Sequence, residues 1–587
     1  MKNLKTSLYV LTGLIIMIAY SCKKETSQTT LKTPPIVSPY SYDKGNTTNA
    51  SFLGSILDEN QQVVADAKIT IGGKTAMTNK DGVFFIENAS VFEDHAYIKA
   101  EKNGFFLGSR SIVPTSGVNK IEITLLQKKV IGSFDASTGG RVSGDGITID
   151  FQGGIVDAYG NPYSGNVSVA AKYIDPESTE INSIMPGNLI GANANGSSAL
   201  KSLGMVAVQI TDVMGNELQL AKGSPAEVTF PLSPSLKADA PNTIPLWYFD
   251  EVNGFWSEEG SATLVGNTYK AKVTHFSFWN CDIRVPSTNI KGRIVDNNGD
   301  GVAGVRIKII SPNAGAREAI SDNDGYYGGR IPSNQNLILE IIQKCGSNYQ
   351  SIYTKNIGSF SSKTTISDIN IGLGSPITIT GNLVDCNQNP VTNGYLIDQD
   401  KNIIQLKSGK FSFISCSNKT ITLRGIDIKN TTESKTKTIS VGTSSMNIGN
   451  IQACQSLNNY IKWTINGTDY IATTSMYLIE DSTSTQAYLS GYEPNQLNAN
   501  FDVFNGVGTY VINASTSRSD PYFYAQGVYG QWDSGKVTIN ITKYGSNPGD
   551  RIEGNFNGQV SGKDSIGGTP SVRKTSIING TLQFDQR

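Results

Sequence analysis

The sequence predicts an all-β chain of tandem β-sandwich domains, and three observations carry that prediction. The 587 residues include 60 glycines and 25 tyrosines, and Thr, Ser, Asn, Val and Ile abound while runs of Ala, Leu, Glu and Lys are few. Such a composition favours short strands joined by turns. Segments such as Ala67-Lys-Ile-Thr-Ile71 alternate apolar and polar residues with the period of a half-buried strand. Finally, one order of strands and turns recurs three times along the chain. At this length several separate cores are expected.

The N-terminus is read first. Lys2 and Lys5 precede a short apolar run, Leu8 to Tyr20, and Ala19 and Ser21 stand just before Cys22. The run is short for a membrane span. This order resembles bacterial lipoprotein signal peptides; an ordinary secretory signal and a membrane anchor are the alternatives. The resemblance implies that residues 1–22 are a signal, that the peptide before Cys22 is removed, and that Cys22 becomes a lipidated, palmitate-bearing first residue held in a membrane by several acyl chains. Residues 23–48 are polar, rich in Thr, Ser and Pro, and without hydrophobic period, which predicts a flexible tether. Lys23, Lys24 and Glu25 resemble the export signal that sends lipoproteins of the Bacteroidetes to the cell surface. The expected location is therefore the outer membrane, facing the exterior.

Three segments then share one grammar. Gly54-Ser-Ile-Leu-Asp58 leads through a polar turn into Ala67–Ile71 and then Thr78-Asn-Lys-Asp-Gly82-Val-Phe84. The second copy reads Gly292-Arg-Ile-Val-Asp296, Gly304–Ile309 and Ser321-Asp-Asn-Asp-Gly325-Tyr-Tyr327. The third reads Gly381-Asn-Leu-Val-Asp385, Gly394–Ile397 and Ser408-Gly409-Lys-Phe411-Ser-Phe413, without the Thr-Asp type of pair before its second turn. Each is strand, turn, strand, tight Gly turn, strand. These segments resemble the carboxypeptidase regulatory-like domain, a small transthyretin-like β-sandwich, over residues 49–128, 287–373 and, more divergently, 374–454. That resemblance brings no peptidase activity, because the zinc ligands of such enzymes belong to a separate catalytic domain.

Residues 129–286 use other motifs, among them Val167–Pro176, Met185-Pro-Gly187, Leu203–Ile210, Pro245–Asp250, Gly254–Gly260 and Thr274–Asn280. Their order is similar to the extracellular region of cartilage intermediate layer protein, where a regulatory-like domain precedes a ZU5-like β module. This implies a structural or interaction module. Residues 455–587 resemble the C-terminal β-sandwich domains of Bacteroidetes lipoproteins; here Ile552–Phe556 beside Ile578–Phe584 is expected to close a sheet. The five β domains are expected to follow one another in a row.

Charge excludes one class of partner. Forty-nine basic residues face 50 acidic ones with no basic stripe, which disfavours nucleic acid. Five cysteines follow Cys22, none in a C-x-x-C pair, and an exported protein oxidises such thiols. A Cys386–Cys416 bridge is expected because both lie in the third repeat.

Few residues suggest chemistry. The two histidines, His95 and His275, fall in different domains, which leaves little for a Ser-His-Asp or Cys-His site. Asp296, Asn298 and Asp300 resemble half a calcium loop, yet Ile307 stands where a bidentate glutamate is needed. The same span is the inter-strand turn of the second repeat, which is the preferred reading over a weak calcium site, and Asp322-Asn-Asp324-Gly325 is read in the same way. Trp247, Trp256 and Trp279 could form a sugar-stacking platform, but alternate aromatics at strand spacing face inward, so core is the expected role. Glu258 and Glu259 form an acid pair, but neighbours on a strand point to opposite faces, so the pair alone cannot flank a glycosidic bond. No cofactor is implied. The expected function is non-enzymatic: a surface lipoprotein acting as an interaction or adhesion module with an envelope protein or glycan as partner. The alternatives are a glycan-binding lipoprotein that assists polysaccharide uptake and a hydrolase with an unfamiliar site.

Overall fold

The computed structural model describes residues 35–587 except 346–347, 373–376, 457–459, 466–467, 481–486, 495–496, 502–503, 514–522, 526–530, 545–550, 564–572 and 586–587. Cys22 and the signal-like segment lie outside the described residues. Nearly every regular element is a strand, so the all-β expectation holds. Among the described residues no helix is long and apolar enough to cross a membrane.

The three repeats share one topology. In the first, strand Thr47–Asp58 pairs antiparallel with Val83–Phe92 and parallel with Val118–Leu125, and a second sheet of four strands packs against this one. Ser287–Val295 of the second repeat and Ile377–Val384 of the third have the same antiparallel and parallel neighbours. The turn hydrogen bonds repeat as well. Ile56 N donates to Gly82 O, Ile294 N to Gly325 O and Leu383 N to Gly409 O, at 2.8, 2.8 and 2.7 Å. A buried hydroxyl clamps the first two turns: Thr78 bonds Val64 O and Ala67 N, and Ser321 bonds Val302 O and Val305 N. The third repeat lacks that hydroxyl and turns instead through Ser408 and Gly409, both at positive φ (50° and 81°), a two-residue hairpin of the primed kind.

One close approach explains the glycine that opens each repeat. Gly54, Gly292 and Gly381 stand directly opposite Phe84, Tyr327 and Phe411 in the ladder. A Cβ on any of them would lie 2.4–2.5 Å from that ring. The ring lies over the bare backbone, so any larger residue would have to displace it.

The long block, Val130–Val285, builds one branched sheet of 14 strands around a core that contains Trp279, Tyr248, Tyr269 and Phe230. The C-terminal block is a nine-stranded antiparallel sheet around Trp463, Phe556 and Phe584. Within it Ile552 pairs with Phe584 and Gly554 with Leu582, the adjacency its motifs suggested.

The domains do not stand in file. Leu53 and Val83 of the first repeat share a buried cluster with Tyr395, Ile397, Ile403 and Ile426 of the third. Phe106 and Leu126 of the first share another with Trp247, Trp256 and Phe278 of the long block. Folding back in this way buries apolar strand faces that a row of separate beads would leave in water.

Candidate functional site

One of the two hairpin turns that resemble calcium loops, Asp322-Asn-Asp324-Gly325, is a fastener between domains. In the second repeat Asp322 Oδ1 accepts its own turn's amides from Asp324 and Tyr326, both at 2.8 Å, while Oδ2 accepts Gly117 N of the first repeat at 3.0 Å. Asn323 Oδ1 accepts Val118 N at 2.8 Å and its Nδ2 donates to Leu406 O of the third repeat. Asp324 meets Lys407 at 2.7 Å. The first repeat's turn reaches the third in the same way: Asn79 Nδ2 donates to Tyr395 Oη at 2.8 Å, Asp81 pairs with Arg424, and Lys80 lies 3.5 Å from Glu433. Asp296 Oδ1 likewise accepts Asn298 N and Asp300 N at 2.8 and 2.9 Å, so the turn reading describes Asp296, Asn298 and Asp300. Among the described residues no three His, Cys, Asp or Glu side chains cluster as metal ligands would.

The disulfide expectation is corrected. Cys416 bonds Cys345 of the second repeat, Cα–Cα 6.0 Å, and Cys386 bonds Cys454, Cα–Cα 5.0 Å. The physical reason is strand direction. The strand Lys410–Ser415 carries Cys416 away from the turn that holds Cys386 and toward the second repeat. The last strand, parallel to Ile377–Val384, brings Cys454 to Cys386. Cys281 remains a buried thiol, pushed up by desolvation.

The tryptophans are core. Trp247, Trp256 and Trp279 are each 0% exposed, and their indole N–H groups donate to Asp282 O, Asn188 O and His275 O at 3.3, 2.9 and 3.0 Å. A stacking platform is therefore overturned at these positions. The acid pair is also divided: Glu258 accepts Asn193 Nδ2, whereas Glu259 accepts Thr274 Oγ1 at 2.6 Å and lies 3.7 Å from His275 Nε2.

The predicted tether is docked over part of its length. Ser38 bonds Asp250 and Ser257, Tyr42 donates to His95 Nδ1 at 2.8 Å, and Lys44 lies over the rings of Tyr42, Phe92 and Phe255. Two or three anchoring side chains suffice for this, and they leave no hydrophobic period to read. His95 Nε2 must carry its proton, because it faces Asn253 O at 2.9 Å, so Nδ1 is the acceptor for Tyr42. Burial, with Lys44 nearby, lowers His95 from 6.5 to about 3. The unfolded chain thus binds a proton that the folded one refuses, and this contribution to stability is lost as the pH falls from about 6.5 towards 3. Glu251, raised by burial to about 7, acts with the opposite sign between pH 4.5 and 7. The comparison of wild type with His95→Gln isolates the histidine. Wild-type unfolding free energy, relative to the variant, should fall by up to about 1.4 kcal/mol per pH unit below pH 6.5; parallel pH profiles would refute the neutral, buried histidine.

One cleft combines apolar walls with a cationic lining. It lies along the open side of the second repeat, between edge strands Gly315–Ile320 and Tyr326–Pro332. Arg110–Lys120 of the first repeat and Asn182–Ile190 of the long block roof it. It is open to solvent at its mouth. Arg110, Lys120, Arg317 and Arg330 line it, with Glu318 as the single acid. Glu318 is taken by Arg306 at 3.0 Å, and Lys120 by Glu122 at 3.3 Å. Arg317 donates to the carbonyls of Ala314, Ala316 and Leu200. Among the described residues Arg110 donates to Gly187 O at 3.3 Å, with Glu318 and Glu122 acting on it at longer range, and Arg330 donates to Ser197 Oγ at 3.0 Å, stacks on Tyr42 and feels Asp94 at longer range. Desolvation lowers both Arg110 and Arg317 to about 10. Three buried polar atoms of the lining lack partners: Arg330 Nε, Tyr327 Oη and Asn188 Oδ1. Apart from Tyr327, an aromatic of the second repeat's motif, none of these residues stood out in the sequence. The available signal was Gly328-Gly329 immediately after Tyr327, where the other repeats place a bulky Ile86 or Phe413 at the second position.

The chain matches no protein-family model and no curated protein. Among solved structures it is similar to a streptococcal ancillary pilin at 10% identity, covering 36% of this chain and 92% of that one with a TM-score of 0.13. The shaft pilin SpaA of Lactobacillus rhamnosus GG matches at 9% identity over 29% of this chain and 98% of that one, and the TIE protein of Bacillus anthracis at 10% over 71% and 72%, both with TM-scores of 0.13. Likenesses of this strength carry no functional argument.

Proposed function

We propose that the chain is a non-enzymatic surface lipoprotein that serves the cell envelope as an interaction or adhesion module. The observation that carries this reading is the interlocking of the repeats, whose turn tips are spent on holding domains together. A body fastened in this way presents its outer surfaces at fixed relative positions, which suits binding a partner. The side chains that first suggested chemistry support the same reading through their positions, since His95, the three tryptophans and the acid pair all serve packing or local hydrogen bonds. Glycan uptake would be favoured by tryptophans exposed in a groove, and Trp247, Trp256 and Trp279 are buried.

The anchor is tested first. Cells fed an alkyne-tagged palmitate should label the wild-type chain, and Cys22→Ser should abolish the label and release the protein from the membrane fraction. Persistent labelling of the variant would refute lipidation at Cys22. The partner is tested by cross-linking on intact cells and mass spectrometry of what is recovered with the chain. A specific envelope protein supports the proposal; recovery of the chain alone, with binding on a glycan array, would replace it with the uptake reading.

A further inference from the structure

The cleft in the second repeat is a built cavity, and comparison of the three repeats shows how it was made. The strand after the Gly turn sends alternate residues between the two sheets. In the first repeat Phe84 is followed on that face by Ile86, which stands opposite Phe52 and is 3% exposed. In the third, Phe411 is followed by Phe413, opposite Ile379. In the second, Tyr327 is followed by Gly329, opposite Ile290. The position that its sisters fill with an isoleucine or a phenylalanine is empty here, and a Cβ at Gly329 would meet nothing within 4 Å. Its φ is ordinary, so backbone conformation does not demand glycine.

The space so opened has apolar walls, Ile290, Ile307, Ile309 and Ile331, and a cationic rim. Arg110 and Arg330 at the rim have no carboxylate within ion-pair distance among the described residues, the nearest acids, Glu122 and Glu318 for Arg110 and Asp94 for Arg330, acting only at longer range, and Arg330 Nε has no hydrogen-bond partner among them. Burying a guanidinium without an anion is unfavourable, and a planar anion returns that cost through paired hydrogen bonds. We propose that this cavity binds a small amphiphilic carboxylate, whose apolar body lies between the sheets in the place of the missing side chain and whose head meets Arg110 and Arg330. The site extends the interaction reading to a small-molecule ligand and does not depend on the lipid anchor.

The test uses the purified full chain carrying Cys22→Ser, titrated calorimetrically with octanoate and, separately, with octanol. Octanoate should bind at one site, more weakly as salt is raised, and octanol at least ten-fold more weakly. Gly329→Ile, which installs the residue the first repeat carries, should abolish octanoate binding and leave the melting temperature equal or higher. Arg110→Gln should weaken octanoate roughly ten-fold or more. No octanoate binding by the parent chain, equal affinity for octanol, or unchanged affinity in Gly329→Ile would each overturn the proposal. Should Gly329→Ile fail to fold, Arg110→Gln decides, and unchanged affinity there overturns it.

Discussion

Replacing Arg306 with leucine is expected to destabilise the chain by about 3–5 kcal/mol, the range found when one member of a buried ion pair is removed. Arg306 joins the first and second repeats: its guanidinium contacts Glu122 and lies 3.0 Å from Glu318. The two carboxylate side chains are 26% and 11% exposed, so solvent compensates little for the loss. Glu122 is held at about 2 against a burial effect that would raise it, chiefly by Arg306 with help from Lys120. A carboxyl whose folded value is depressed contributes stability above its unfolded value of 4.5, and that contribution is lost as the pH falls towards 2. The gap between wild type and Arg306→Leu should therefore be widest at neutral pH and narrow below pH 4.5. Urea unfolding at pH 7 and pH 3.5 measures it; a pH-independent gap would show that the arginine acts through packing alone.

Removing the Cys345–Cys416 bridge should have an effect of similar size. It closes a loop with a sequence separation of 71, for which chain entropy predicts about 4 kcal/mol. Cys345→Ser with Cys416→Ser should lower the melting temperature and loosen the second repeat from the third, where Gln343 Nε2 also donates to Ile414 O at 3.0 Å. Peptide mapping under non-reducing conditions checks the pairing directly. Cys345–Cys416 and Cys386–Cys454 are the expected linked peptides, and a Cys386–Cys416 peptide would contradict them.

What was legible in the sequence is what is local to one repeat. Gly54, Gly292 and Gly381, each followed by an Asp-Gly or Ser-Gly turn and an aromatic, mark strands whose pairing the ladder reproduces, because period and turn chemistry are written along the chain. The pairing of Ile552 with Phe584 was readable for the same reason. Contacts between repeats were not. Asp322 and Asn323 look alike as a free turn or as a fastener, since their acceptors are identical and only the position of Gly117 and Val118 decides. Cys386 and Cys416 share a repeat, yet strand direction sends them to different partners. Tyr42 and Lys44 sit in a polar segment whose few anchoring contacts leave no pattern. The cleft was hidden because a glycine in a strand announces an absent side chain and says nothing of what approaches the space.

The three repeats interlock through Asp322, Asn323, Asn79 and Asp81 at their turns. Zero-length carbodiimide cross-linking of the dilute purified chain, followed by mass spectrometry, tests this interlocking most directly. Intramolecular links Lys407–Asp324, Lys80–Glu433 and Lys363–Asp94 are expected, since their charged atoms lie 2.7, 3.5 and 2.8 Å apart, and they should be independent of protein concentration. Links confined within single domains, with none joining the first repeat to the second or third, would contradict it.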